Sequence, residues 1–238
     1  MTNSAAVDND VLIKLACYRL LCDVLAVFGG SGSVGILGAA RFVVTNNIRR
    51  SSGINDQESA LQDFAAFLAE AEELEPADDE IDLATELEEA ASQLGAGLDF
   101  GESQLCAIVL LRKIPMLVTG DKRAIVAAEI LKSEVGNLAE LEGKFVCLEQ
   151  LVLGLTDRIG HAASREKICA EPNVDKALSI CFACWSDTHG ADSSVADGLR
   201  SYIGDIRSTA WTLLYPQDAV PVNFAGKRRT APPTPPQA

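Results

Sequence analysis

The sequence contains few of the residues on which several common kinds of active site depend. Only two histidines occur among 238 residues, His161 and His189, and neither lies beside a plausible nucleophile. A catalytic triad of serine or cysteine with histidine therefore has little support. No apolar run approaches the roughly 20 residues that span a bilayer. We therefore expect a globular chain that does not enter a membrane.

Lysine and arginine are missing from a long stretch of the chain. None occurs between Arg50 and Arg112, where sixteen of the 34 acidic residues are found, and the net charge is −14. Indiscriminate binding to nucleic acid is disfavoured, because such binding usually leaves a basic surface. The acidity is nevertheless local. Salt screens it over about 8 Å, so it does not exclude a nucleic acid from a groove elsewhere on the molecule.

The seven cysteines are odd in number, scattered, and set mostly in apolar patterns. We interpret them as buried, reduced thiols of a cytoplasmic protein, in agreement with an N-terminus that does not resemble a signal peptide. A zinc site of three cysteines and one histidine is an alternative, because a C-x-x-C pair lies near a third cysteine and a histidine. Its ligands would be Cys169, Cys181, Cys184 and His189.

Apolar patterns predict an alternation of strands and helices, and hence a three-layer α/β/α domain with a short parallel sheet of four to five strands. This domain would span residues 1–155, followed by a helical extension over 156–215 and a disordered, proline-rich tail over 216–238. The predicted strands are 4–8, 41–45, 116–121 and 144–148, and the main helices are 11–28, 57–74, 80–94 and 98–113.

Four acidic residues lie at the ends of these elements. Asp8 ends the first strand, Asp121 ends the third predicted strand, and Asp99 and Glu102 begin the helix between them. Each could be a helix cap or a turn residue. If the two strands are neighbours, the carboxylates converge, and each pair about 4 Å apart would repel by on the order of 4 kcal/mol unless a cation is bound. Oxygen ligands favour Mg²⁺ or Mn²⁺.

Three segments, "VDNDVLIKLA", "LDFGESQLCAIVLLRKIPMLVTGDKRA" and "KFVCLEQLVLGL", resemble the PIN domain, a metal-dependent ribonuclease module. The resemblance covers residues 4–155. It implies that Asp8, Glu102 and Asp121 are catalytic and bind the metal together with Asp99. It also implies that Asn9 and Asp10 lie behind the ligands at polar positions of the motif, where Asp10 could instead cap the first helix.

The sequence departs from this family after the second predicted strand. A metal-binding glutamate is expected there, but "VVTNNIRRSS" contains arginines, and Glu58 is the nearest later acid. The site could therefore be inactive, or the basic side chains could bind phosphate, since guanidinium groups match phosphate oxygens. The phosphate-binding set would then be Lys14, Arg49, Arg50, Lys122 and Arg123.

Three functions follow from these patterns. The first is a ribonuclease that hydrolyses RNA phosphodiesters with Mg²⁺ or Mn²⁺. The second is a catalytically degenerate PIN-like protein that binds RNA or a protein partner through its acidic helices, 57–94, or through its C-terminal extension. The third is a phosphatase of the haloacid-dehalogenase type, which "VDNDVL", "VVTNN" and "VTGD" resemble, although "GDKRAIVAA" lacks a further expected acid. A homodimer is the default expectation for assembly.

Overall fold

The computed structural model describes residues 3–186 and 192–221. Strands and helices alternate along this part of the chain, and a 3-10 turn, Gly136–Leu141, precedes the last strand. The strands are β1 (Ala5–Val7), β2 (Val34–Leu37), β3 (Glu72–Leu74), β4 (Met116–Thr119) and β5 (Phe145–Cys147). The α-helices are α1 (Asn9–Cys17), α2 (Leu21–Phe28), α3 (Ala40–Arg50), α4 (Gln57–Leu68), α5 (Asp78–Leu94), α6 (Phe100–Leu111), α7 (Lys122–Leu131), α8 (Leu148–Ile159), α9 (His161–Ala170), α10 (Lys176–Cys181) and α11 (Asp192–Thr209).

The five strands form one parallel sheet in the order β3-β2-β1-β4-β5. Every residue of β1, β2, β4 and β5 is buried, as expected for a parallel sheet covered on both faces. Helices α1 to α4 pack on one another, and α5, α6 and α7 form a second group, in agreement with a three-layer arrangement. The predicted α/β class and parallel sheet of four to five strands are confirmed.

The predicted second strand, 41–45, is wrong. That segment lies in α3, and the strand is β2 at Val34–Leu37, which precedes it. The β-branched run of α3 favours a strand locally, but burial follows helical spacing, since Val44 and Ile48 are buried one turn apart. Tertiary packing therefore overrides local propensity here.

Two predicted helices have different bounds. The helix predicted over 57–74 ends at Leu68, and its last residues form the edge strand β3. The helix predicted over 11–28 is divided into α1 and α2 by a break in which Arg19 adopts a positive φ of 55°. Both elements are amphipathic, and the apolar spacing continues across the boundaries, so periodicity alone does not reveal them.

The C-terminal part packs against the sheet. Phe145 N donates to Leu213 O at 2.9 Å and Tyr215 N donates back to Phe145 O at 2.6 Å, so the chain after α11 runs along the outer edge of β5. The predicted division at residue 155 falls inside α8. The predicted disordered tail begins too early, because Val220 is buried; residues 222–238 lie outside the described residues.

Cys169 and Cys184 are joined by a disulfide. The prediction of seven reduced thiols is wrong for this pair. The prediction that the cysteines are buried is wrong for Cys22, which is exposed. The sulfurs of the disulfide are not free to bind zinc, which removes two ligands of the hypothetical zinc site, and its fourth ligand, His189, lies outside the described residues. Cytoplasmic localisation stays a prediction. Within residues 3–186 and 192–221, no helix has both the length and the apolar character needed to cross a membrane.

Glu171, directly after α9, anchors the helical extension to the rest of the molecule. Its carboxylate is buried and accepts hydrogen bonds from the backbone N–H groups of Asn55 and Asp56, each at 2.7 Å. These two amides lie in the loop that begins α4. Hydrogen bonds to a charged acceptor are stronger than neutral ones, so one side chain fixes the loop and the extension together.

We expect Glu171→Ala to lower the free energy of unfolding by about 1 to 3 kcal/mol, because it removes the charged acceptor of two backbone N–H groups. Urea unfolding followed by circular dichroism measures the change. Glu166→Ala is the matched control, since Glu166 is exposed on α9, and it should change stability by less than about 0.5 kcal/mol. Equal effects of the two substitutions would contradict the anchoring role.

Candidate functional site

The order of strands reverses between β1 and β4, and the first and last predicted catalytic acids lie at this point. From β1 the chain builds outward to β2 and β3 on one side, then crosses to β4 and β5 on the other. Asp8 follows β1 directly, and its backbone N–H donates to Val118 O at 2.9 Å. Asp121 follows β4 by two residues. The two strands are neighbours, which is the condition under which the carboxylates were expected to converge, and such reversals are where open α/β sheets bind ligands.

Helix α6 brings the other two predicted acids to the same place. Asp99 and Glu102 form a capping box, in which Asp99 Oδ1 accepts from Glu102 N and Glu102 Oε2 accepts from Asp99 N, both at 2.9 Å. Glu102 is only 8% exposed, whereas Asp99 is exposed. The four acids share an open cleft of about 740 Å³. Its lining is Asp8, Asn9, Asp10, Ile13, Lys14, Val43, Asn47, Asp99, Phe100, Gly101, Glu102, Gly120 and Asp121.

Asp8 occupies the N-cap position of α1 but makes no capping hydrogen bond through its side chain. Asp99 and Asp121 are true caps, since each accepts a hydrogen bond from a backbone N–H in the first turn of its helix. Glu102 forms the other half of the capping box, so the capping interpretation explains three of the four acids and leaves Asp8 without a structural role of that kind. Asp10 does not cap α1 either, because it lies within the helix.

Burial disfavours the charged forms of Asp8 and Glu102. Behind them lie apolar side chains, among them Leu105 and Phe145. Burial raises the pKa of Asp8 to about 6, and repulsion by Asp10 and Asp99 adds to the effect, although nearby backbone amides oppose it. Burial likewise raises the pKa of Glu102 to about 7, with repulsion from the neighbouring acids. Within residues 3–186 and 192–221 neither carboxylate forms an ion pair.

Asp121 is engaged by the neighbouring Arg123. Its carboxylate accepts from Arg123 Nη2 at 2.6 Å and from the backbone N–H of the same residue at 2.8 Å, and the side-chain bond holds the pKa of Asp121 below its usual value. In the part of the chain that is described, no three acidic, histidine or cysteine side chains are gathered as a metal site. Since Arg123 is 85% exposed, its ion pair contributes little and is readily broken.

The predicted basic residues are mostly engaged elsewhere. Lys14 lines the cleft and bridges Asp10 at 2.8 Å and Asp175 at 2.9 Å. Burial alone would lower the pKa of Lys14, but these two carboxylates raise it above its usual value. The ammonium group of Lys122 pairs with the buried Glu149, in the first turn of α8, at 2.6 Å. Lys122 is therefore not a cleft residue, contrary to its predicted phosphate-binding role.

Helix α3 contributes Val43 and Asn47 to the cleft. The predicted phosphate ligands Arg49 and Arg50 are exposed at the end of this helix and are not among the lining residues, and neither is Glu58. The α3 wall of the cleft therefore carries an apolar and an amide side chain and no carboxylate. The missing glutamate was predicted to lie near the arginines because residues 41–45, which belong to α3, were predicted to be a strand.

Sequence reasoning missed Ile13, Val43, Asn47, Phe100 and Asp175. Ile13 and Phe100 adjoin predicted site residues on α1 and α6, so their positions could have been found by extending the helical spacing. Val43 and Asn47 required the correct secondary structure of α3. Asp175 is the N-cap of α10 and reaches Lys14 from 161 positions further along the chain, which no local pattern reveals.

The phosphatase alternative depended on "VVTNN" as the end of a strand. That segment lies in the middle of α3, where Thr45 does not follow a strand. The second motif of the haloacid-dehalogenase pattern is therefore misplaced, and only the acids of the first and last motifs lie at strand ends. The geometry gives this alternative no further support.

We expect Asp8→Asn to stabilise the metal-free protein by about 2 kcal/mol near pH 8 and to have little effect near pH 3, where the carboxyl group is mostly protonated in both the folded and the unfolded state. When folding raises the pKa of a carboxyl group, the protein loses stability as the pH rises through the folded pKa, which is about 6 for Asp8. Chemical unfolding at the two pH values measures this difference. Exposed Asp205→Asn is the control. A stability that is unchanged or lower near pH 8 would contradict the desolvation of Asp8.

Comparison with protein-family models, with curated proteins and with solved structures found no match to this chain. The resemblance to the PIN domain thus depends on the quoted motifs, and the assignment of function depends on the cleft itself.

Proposed function

We propose that this chain is a divalent-metal-dependent ribonuclease of the PIN type, acting in the cleft between β1 and β4. The observation that carries the proposal is the pair Asp8 and Glu102. Both carboxylates are removed from water at the reversal of strand order, and neither has a cationic partner among the described residues. A divalent cation would supply the missing counter-charge.

The donor set fits Mg²⁺ or Mn²⁺, since the cleft offers carboxylate oxygens and no cysteine or histidine among its lining residues. Asp8 and Glu102 would hold the ion, with Asp99 and Asp121 at the rim. Asp121 joins when its exposed partner Arg123 turns to solvent, which costs less than about 1 kcal/mol. When bound, such an ion lowers the pKa of a water molecule and stabilises charge on the leaving oxygen.

The residues of this chain would orient the substrate and keep the site ionised. With a cation bound, Asp8 and Glu102 would stay in their charged forms. Neither carboxylate would then take up a proton during the reaction. Asn9 and Asp10 lie in the same cleft, with Asp10 held by Lys14 rather than directed at the other acids.

A second candidate function is a PIN-like protein without catalysis that binds RNA or a protein partner. The observation that favours it is the apolar Val43 on the α3 wall, where the family pattern expects a carboxylate. Metal affinity would then be too weak for turnover. A protein partner would meet the acidic surface of α4 and α5, or the helical extension.

RNA cleavage separates the two candidates. We expect the wild-type protein to cleave RNA in Mg²⁺ or Mn²⁺ and to stop when the metal is chelated. Asp8→Asn and Asp121→Asn, singly or together, should lower the rate by about 100-fold or more, the usual effect of removing a group that stabilises the transition state. Asp205→Asn should cleave as the wild type does. Cleavage that persists in the double variant, or that is absent from the wild type, would contradict the proposal.

A substitution on α3 tests how far the missing carboxylate limits the site. We expect Val43→Glu to tighten Mn²⁺ binding by roughly 10-fold, because it adds a charged oxygen ligand to the cleft wall. Titration calorimetry measures the affinity, and the rate of RNA cleavage should rise with it. Phe42→Glu is the matched control, since Phe42 adjoins Val43 but is not a lining residue. An equal effect of both substitutions would show that only net charge matters.

A further inference from the structure

Exposed aromatic side chains are few in this protein, and one of them lies in the cleft. The aromatic residues with large exposed fractions, among those described, are Phe42, Phe100, Trp185 and Trp211. Phe100 is 50% exposed and lines the cleft between the two members of the capping box, Asp99 and Glu102. A single exposed apolar side chain is ordinary, but Phe100 shares the cleft with Ile13 and Val43, so the cleft has an apolar as well as an acidic lining.

Phe100 is not needed for the core contacts of its helix. The buried side of α6 is formed by residues from Leu105 to Leu110, while Phe100 is the first helical residue. Asp99 and Glu102 fix that first turn through backbone hydrogen bonds, so the ring is held on a rigid element. The α3 wall of the cleft adds Val43, which is 38% exposed, and the amide of Asn47.

The electrostatics of the cleft leave little affinity for a polyanion through phosphate contacts. Its cationic neighbours, Lys14 and Arg123, are both engaged in ion pairs with acids of the site. Binding of single-stranded nucleic acid by other means depends on bases that stack on aromatic rings, worth about 1 to 3 kcal/mol per base. A base in a duplex is already stacked, so only an unpaired base has a free face for the ring.

We propose that Phe100 is a base-stacking residue that takes one unpaired nucleobase of an RNA strand whose backbone lies at the carboxylates of the cleft. The ring supplies the contact that the engaged cations do not. The neighbouring Val43 closes the apolar side of this subsite, and the Asn47 amide offers hydrogen bonds to a base edge. The inference rests on the proposed function for the position of the backbone, but its own contact is with the base.

Binding to RNA in an inactive background tests this contact. The Asp8→Asn/Asp121→Asn protein is titrated into a fluorescently labelled single-stranded RNA oligomer and followed by fluorescence polarisation. We expect Phe100→Ala in this background to weaken binding roughly 5- to 100-fold. Phe100→Trp should bind at least as tightly as the parent. Trp211→Ala, which removes an exposed ring outside the cleft, should change nothing.

An oligomer of equal length without bases separates stacking from a merely structural effect. Its phosphates are unchanged, so Phe100→Ala should not alter its weaker binding. An equal loss on both oligomers, no loss on either, or no binding of RNA by any variant would each overturn the inference. RNA binding that depends on Phe100 in a protein that does not cleave would instead overturn the ribonuclease proposal alone. Cleavage that is unaffected by Phe100→Ala, with unchanged binding, would overturn only the stacking role.

Discussion

The parallel pairing of β1 with β4 is the contact on which the whole cleft depends. Only three residues of each strand pair, from Ala5 opposite Met116 to Val7 opposite Val118, and all of them are buried. This pairing sets the ends of the two strands side by side. Helix α1 leaves β1, α6 enters β4 and α7 leaves β4, so every acid of the cleft is positioned by one of these two strands. A shift of one residue in this register would reverse the direction of each side chain.

Part of the site follows from local sequence patterns at the ends of strands and helices, and that part was predictable. Asp8 and Asp121 end apolar runs before helical patterns, and Asp99 with Glu102 has the spacing of a capping box. The second strand was not predictable in the same way. Its residues, Val34–Leu37, include a glycine, whereas the stronger β-former run of α3 is helical because burial at Val44 and Ile48 decides it. That single error concealed the true α3 wall of the cleft.

Contacts between distant parts of the chain account for the rest of what the sequence did not reveal. Asp175 pairs with Lys14, and Glu149 pairs with Lys122, so two cations that sequence reasoning assigned to phosphate are held by the C-terminal helices. Helical periodicity predicts that these helices exist but not where they pack. The disulfide between Cys169 and Cys184 likewise depends on how α9 and the turn after α10 come together. The extension therefore shapes the electrostatics of the cleft, although no motif in it indicates that role.

The charges that remain unpaired give the strongest reason to assign a function to this cleft. Raising the pKa of Asp8 to about 6 corresponds to a loss of about 2 to 3 kcal/mol at neutral pH, against a total stability of about 5 to 15 kcal/mol for a typical domain. The backbone amides of Asn9 and Asp10 offset only part of this loss, and asparagine would fit the same position without the charge. Glu102 has a structural role as well, because its carboxylate completes the capping box of α6, and this hydrogen bond offsets part of the free-energy cost of burying it. A desolvated carboxylate without a cationic partner is the kind of group that proteins often retain for binding or catalysis, and in the proposed function a bound cation supplies its counter-charge.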